Sequence, residues 1–203
     1  MQEVIKFSRV DNKQFFATLR KRVNAHFEQN NISKSGNWTL YVKTFLMFAL
    51  YLVPYVLVLS LSMPTYMVLI SYFFMGLGMA SIGLCVMHDA NHGTFSKNPI
   101  INKLMSHSME VIGGSSFTWK IQHNILHHSY TNVYGLDEDI DDKPFLRLSP
   151  EGELKKYHRF QHIYASLLYC FATLSWTMKK DFVQLFHYHR QGITKQYGYK
   201  PKL

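Results

Sequence analysis

The stretch that decides the fold is Thr44–Met87, TFLMFALYLVPYVLVLSLSMPTYMVLISYFFMGLGMASIGLCVM. These 44 consecutive residues contain no Asp, Glu, Lys, Arg or His. As one helix they would make a rod of about 66 Å at ~1.5 Å per residue. A bilayer core is only ~30 Å thick, so the run reads as two membrane spans joined by a turn. Ser62, Met63 and Pro64 supply the turn, since proline suits a helix start and cannot continue a preceding helix. The spans are placed near Thr44–Leu61 and Thr65–Met87. The turn is uncharged and both outer flanks are basic, which by the positive-inside rule puts the N-terminus and everything after Met87 on the cytoplasmic side. Trp38, Tyr41 and Tyr51 suit an aromatic belt. Gly76, Ala80 and Gly83 are expected to line the face on which the second span packs. The alternative is a buried hairpin in a soluble protein, but such helices carry a charged face and this stretch has none.

Outward from the hairpin, the charge is uneven. Residues 1–43 hold eight Lys/Arg and three Asp/Glu, residues 88–158 hold seven and nine, and residues 159–203 hold seven and one. Of the 203 residues 47% are apolar and 17% charged, which excludes a disordered chain. Two cysteines, Cys85 and Cys170, cannot staple a disulfide-rich fold. The net charge of +9 calls for an anionic partner. Basic residues are not interleaved with aromatics as a nucleic-acid groove requires, so no nucleic-acid partner is expected. Residues 1–39 hold no short apolar stretch followed by a small-residue cleavage site, and no secretory leader is expected there. They read instead as a cytoplasmic amphipathic region. Asp11 with Gln14 resembles a capping box, and Phe15, Phe16, Leu19, Val23 and Phe27 follow at helical spacing. Lys13, Arg20, Lys21 and Arg22 make the rest of that helix basic, which fits either an interfacial helix or one packed on the remaining protein.

The resulting expectation is an all-α membrane protein. Residues 40–87 form a transmembrane helical hairpin, and residues 88–158 a cytoplasmic helical region. Residues 159–182 form one further interfacial or third membrane helix, because the apolar part, Phe160–Met178, is marginal in length and flanked by basic residues at both ends. Residues 183–203 read as a basic tail.

Eleven histidines are the chemical signal. His88-Asp89-Ala90-Asn91-His92 follows the second span, and His123-Asn124-Ile125-Leu126-His127-His128 comes thirty residues later. Residues four apart share a helix face, with Cβ atoms ~5–6 Å apart, which suits two imidazoles on one metal ion. Adjacent residues diverge by about 100° on an α-helix, so His127 and His128 would serve neighbouring ions. Imidazole suits Zn, Cu, Fe and Ni, and the lack of thiolates removes soft-metal and Fe–S options. No glutamate stands between His88 and His92, so this is not the zinc-protease motif. Five histidines exceed a tetrahedral zinc site and point to a pair of irons handling O2. The run Asp137, Glu138, Asp139, Asp141 and Asp142 is not a calcium loop, since Asp142 and Leu148 stand where an EF-hand has Gly and Glu. Asp89, or a carboxylate of this run, is a candidate partner for a ligand's second ring nitrogen, with a solvated loop as the bland alternative.

The stretches His88–Gly93, Trp119 with His123–Asn132, Asp137–Ile140 and Arg159–Tyr164 resemble the membrane fatty acid desaturases, the histidine-box di-iron family, in its acyl-CoA or acyl-lipid branch. The resemblance implies that His88, His92, His123, His127 and His128 are metal ligands. It implies iron as a di-iron centre, O2, an external electron donor (ferredoxin or a cytochrome b5-type carrier), a fatty acyl-CoA or acyl-lipid substrate, and a lipid membrane. The family's third box, His/Gln-x-x-His-His, has no match here. The chain is therefore expected to be truncated before that box, and inactive alone. His158 and His162 are the spare pair with ligand spacing, while His26, His107, His187 and His189 are expected to stay apart. A fatty-acyl hydroxylase or ketolase of the same superfamily, or a non-catalytic membrane metal-binding fragment, are the alternatives.

Overall fold

A computed structural model of the chain describes residues 13–141 and 143–197. The capping box expected at Asp11 lies outside them. The described residues are helical, with no strand among them beyond an isolated bridge between Lys143 and Leu146.

Helix α1 is Lys13–Gln29. Helix α2, Trp38–Ser60, starts where the Asn37 side chain accepts the Leu40 backbone N–H. It contains Pro54, a residue that membrane helices tolerate. Residues 61–64 turn the chain, and Pro64 in an extended conformation opens α3. Helix α3 runs unbroken over Thr65–Asn91, so the second apolar helix carries His88 beyond the expected end at Met87. At 23 and 27 residues both helices are long and apolar enough to cross a membrane, about 34 and 40 Å at ~1.5 Å per residue. Most of the apolar length of each is not buried within the protein. Phe45, Leu59, Leu69, Phe73 and Leu84 stand exposed along them, an uncharged apolar surface that water would not tolerate but acyl chains would.

The small-residue face differs from the expected one. Gly76 and Ala80 point outward, and a Cβ on Gly76 would meet nothing within 4 Å. The helices touch at Gly78, where a Cβ would stand 2.6 Å from the Tyr51 backbone nitrogen. Gly83 instead faces Ile112. Ser71, Gly78 and Ile82 are buried, spaced seven and four apart down one side of α3, and Val86, Met87, Ala90 and Asn91 continue the buried set to its end.

Past the hairpin, α4 (Pro99–Ser106), α5 (Ser108–Val111) and α6 (residues 116–130) pack on the end of α3. The core there is built from Ile82, Val86, Met87, Phe95, Met109 and Trp119. Residues 159–182 are not one helix. A 3-10 turn, Lys156–Phe160, leads into α7, Gln161–Tyr169, and the chain tightens at Cys170 and Phe171. Helix α8 then runs over residues 172–190, past the expected boundary at 182. Nine residues of α7 reach only about 14 Å, too short to cross a bilayer core. In α8 the charges of Lys179, Lys180 and Asp181 fall mid-helix, which excludes a lipid-buried position for that turn. Nor are residues 183–197 a loose tail. Gly192, at φ +77°, reverses the chain into α9 (Ile193–Gln196), and Tyr188 and Thr194 are fully buried.

Candidate metal centre

Two helices meet end to side at the histidines, and each changes its winding there. Residues Ile82–Met87 of α3 and Lys120–His127 of α6 are π-helical. Short π segments inside α-helices bond i to i+5 and recur at functional sites. In α6 this brings His128 into register with His123, their ring centroids 4.9 Å apart, while His123 and His127 stack at 5.0 Å. The His127 and His128 rings lie 5.5 Å apart and tilted at 66°.

The structure brings all five box histidines together. His88 and His92 are 4.6 Å apart, His123 stands 5.5 and 5.3 Å from them, and His128 lies 5.1 Å from His92. Trp119 stacks on His123 at 4.4 Å and meets His88 and His92 edge-on, closing the side toward the core. The Asn124 side chain donates to the Asn91 carbonyl at 3.0 Å and pins α6 to the end of α3. Two donor triads result, His88–His92–His123 and His123–His127–Asp139, each with its donor atoms within 4.8 Å of one another. They share His123, which offers a single free ring nitrogen and so can serve one ion of an adjacent pair. His128 stands outside both triads.

Carboxylates occupy one nitrogen of three rings. Nδ1 of His88 faces Asp89 at 3.2 Å, and Nδ1 of His127 faces both oxygens of Asp137 at 3.0 Å. Asp139 lies 3.5 Å from Nδ1 of His123 and 3.4 Å from that of His127. Nε2 is then the free donor of each ring, the pattern of carboxylate-oriented metal histidines. Burial, reinforced by His88, His123 and His128, holds the pKa of His92 below its ordinary value. Burial lowers His123 as well, against the opposing pull of Asp139. Both rings are thus biased to the neutral form that binds metal. Burial pushes the fully buried Asp137 carboxyl up, but the Asn132 N–H, the His127 ring and the Asp139 N–H outweigh it and hold it below the usual carboxylate range.

A second layer was not legible in the sequence. Gln122 donates to Asp139 at 2.7 Å, and Gln184 donates to Gln122 at 2.8 Å and to Glu138 at 2.7 Å. The Tyr188 hydroxyl donates to the same Glu138 oxygen at 2.7 Å. Burial, with Glu138 beside it, pushes the Tyr188 phenol far above its ordinary value, so it stays protonated and donating. Helix α8 thereby braces the acidic loop that orients the histidines. Only adjacency to His123 and the acidic run could have flagged Gln122 and Glu138. Nothing local marked Gln184 or Tyr188.

Five of the other histidines have partners of their own. His26 pairs with Asn30, His107 with Glu110, His187 with Gln191 and His189 with Thr194. His158 accepts the Lys155 backbone N–H, and His162 is exposed. Met79, Ile82 and Trp119 belong to the packed interior around Val86 and Met109.

Among the described residues, two helices long and apolar enough to cross a membrane end at a cluster of imidazoles that could hold metal ions. The fatty acid desaturase family matches residues 64–200, and the chain belongs to that family, in which iron and histidine boxes are typical. It is 36% identical over 181 residues to the sn-1 linoleoyl-lipid 6-desaturase of Arthrospira platensis, covering 88% of this chain and 49% of that protein. The sn-1 linoleoyl-lipid 6-desaturase of Synechocystis sp. is 32% identical over 192 residues, 93% of this chain and 53% of the relative. The acyl-lipid (8-3)-desaturase of Physcomitrium patens is 32% identical over 187 residues, 90% of this chain and 38% of the relative. The chain thus spans about half the length of the curated relatives it matches, or less. No solved structure matches it at a significant level.

Proposed function

We propose that the chain contributes the first two histidine boxes of an O2-dependent acyl-lipid desaturase. The observation that carries this reading is the convergence of the five box histidines, three of whose rings are backed by Asp89, Asp137 and Asp139. The donor set fits iron, being neutral imidazoles with hard carboxylates and no thiolate. His88, His92, His123, His127 and His128 would hold a di-iron centre, which when bound activates O2 for removal of two hydrogens from adjacent carbons of an acyl chain. Asp137 and Asp139 fix ring orientation and keep Nε2 directed to the metal. Asp139 serves here beside Nδ1 of His123, while Nδ1 of His127 is taken by Asp137. Trp119 and the interior around Val86 keep water from the core side, so the acyl chain approaches from the opposite one. Electrons come from a separate carrier, a ferredoxin or a cytochrome b5-type protein. In this reading α2 and α3 cross the membrane with the histidines on the cytoplasmic side.

Five imidazoles leave each of two irons with two or three protein ligands, too few for a tight oxygen-activating pair. These 203 residues are thus expected to bind iron weakly and form no product alone. The test is a chimera in which they replace the matching half of the Arthrospira platensis enzyme. Unsaturated lipid lighter by two hydrogens, lost in His88→Ala and His123→Ala, supports the proposal. Product heavier by one oxygen would make the chain part of a hydroxylase. Iron bound without any turnover would leave a non-catalytic metal protein.

A further inference from the structure

Helix α1 leaves its apolar side uncovered. Phe15, Phe16, Leu19, Val23 and Phe27 fall within an arc of about 120° at 100° per residue. Phe15, Phe16, Leu19 and Val23 are 60%, 59%, 46% and 44% exposed. Arg20 and Arg22 fall about 20° beyond the two edges of that arc, while Lys21 and Glu28 stand on the opposite side. Arginines bordering an apolar stripe place their stems along it and their guanidinium groups at its rim, the disposition of a helix lying in a headgroup layer.

The connection to α2 fixes where this helix sits. Residues 30–37 can span no more than about 28 Å. The Lys34 ammonium donates to Asn24 at 2.6 Å, tying the linker back to α1. The Gly36 N–H donates to the Thr94 carbonyl at 3.0 Å, and a Cβ on Gly36 would collide with Leu40 and the Phe95 carbonyl. Thr94 and Phe95 lie two and three residues past His92. The linker is therefore held at the end of the hairpin that carries the metal centre, beside Trp38, an exposed aromatic at the foot of α2.

We propose that α1 is a membrane-surface helix that binds an anionic lipid face on the histidine side of the hairpin. Its Phe15, Phe16, Leu19 and Val23 side chains enter the acyl boundary and Arg20 and Arg22 meet lipid phosphates. Residues 1–43, with eight basic and three acidic residues, complement that surface. The inference rests on the hairpin crossing the bilayer, and α1 then holds the metal centre against the headgroup layer where lipid-borne acyl chains begin.

The experiment uses the 203-residue chain with Cys85 and Cys170 replaced by serine, reconstituted in phosphatidylcholine vesicles with and without phosphatidylglycerol. Spin labels are placed one at a time at Leu19→Cys, Val23→Cys, Lys21→Cys, Glu28→Cys and, as the bilayer reference, Leu52→Cys. Labels at 19 and 23 should collide with oxygen in preference to a water-soluble nickel chelate, and those at 21 and 28 the reverse. Phosphatidylglycerol should deepen 19 and 23, and Arg20→Gln with Arg22→Gln should abolish that deepening. Nickel access at 19 and 23 equal to that at 21 would place α1 in water, and shielding from both reagents would mean a protein cover. Either result overturns the proposal while residue 52 remains in lipid. Nickel access at residue 52 itself would instead overturn the hairpin reading on which it rests.

Discussion

Nδ1 of His127 lies 3.0 Å from both carboxylate oxygens of Asp137, a side chain wholly removed from solvent ten residues along the chain. An ionised carboxylate has no proton to give, so the imidazole donates and its Nε2 carries the lone pair. The backbone N–H groups of Asn132 and Asp139 donate to the same carboxylate at 2.9 and 3.0 Å, which fixes the acceptor before any metal arrives. Asp137→Asn keeps the shape but removes the charge and one acceptor oxygen. Iron affinity should fall by about 10–100-fold, the usual loss when a ligand's carboxylate partner goes. Chelator competition reads it directly. Unchanged affinity would mean that His127 does not bind iron through Nε2.

Acidification should loosen the centre before it unfolds the hairpin. His92 and His123 have folded pKa values below the ordinary 6.5, so beneath that pH the unfolded chain binds more protons than the folded one. Stability therefore rises with pH in this window. It is fully present above 6.5 and is lost as pH falls from there through the folded values. Asp137, depressed from 3.8, adds a second and lower window of the same sign. Melting of the metal-free protein in detergent, followed from pH 7.5 downward, should show the first loss, and His92→Gln with His123→Gln should flatten it.

Tyr188→Phe deletes one of two donors to a single Glu138 oxygen and leaves Gln184 as the other. A hydrogen bond to a charged acceptor is worth about 1.5–3 kcal/mol, so the melting temperature should drop measurably. Iron affinity should drop less than in Asp137→Asn, because the phenol reaches the histidines only through Glu138 and its neighbours. A loss of affinity equal to that of Asp137→Asn would show that α8 positions the ligands as strongly as the acidic loop does.

The hairpin and the five box histidines were legible because their signals are local: a run without charge, and imidazoles four residues apart. What the spacing concealed was the winding. A π segment inserts no recognisable residue, so the register of His128 over His123 emerges only from the backbone. The packing face of α3 was misplaced for another physical reason. A helix apolar all round has no polar side to give its direction away, so the spacing of Gly76, Ala80 and Gly83 named a face other than that of Gly78. The brace formed by α8 stayed hidden because Tyr188 meets Glu138 across 50 residues of chain.

Topology has a direct check. Lys97, just past the first box, and Ser62, in the turn, are both exposed at opposite ends of the hairpin. In a chain without Cys85 and Cys170, Ser62→Cys should react with an impermeant thiol reagent in intact cells. Lys97→Cys should react only after the cytoplasmic face is opened. The reverse pattern would invert the orientation.

The contact between α2 and α3 gives the sharpest structural contrast, because two glycines two residues apart should respond with opposite signs. A Cβ at Gly78 would stand 2.6 Å from the backbone nitrogen of Tyr51 and 2.9 Å from its Cα. Backbone cannot swing aside as a side-chain tip can, so Gly78→Ala must push the helices apart and loosen the packing that continues into Ile82 and the metal centre. Overpacking of this kind costs about 1–3 kcal/mol. At Gly76 nothing lies within 4 Å, and alanine there removes only the conformational cost of glycine, about 1 kcal/mol in favour of the helix. Thermal unfolding in one detergent should place Gly78→Ala below and Gly76→Ala at or above the parent. If the two variants melt alike, α2 and α3 do not pack through Gly78, and the placement of His88 by the end of α3 loses its mechanical support.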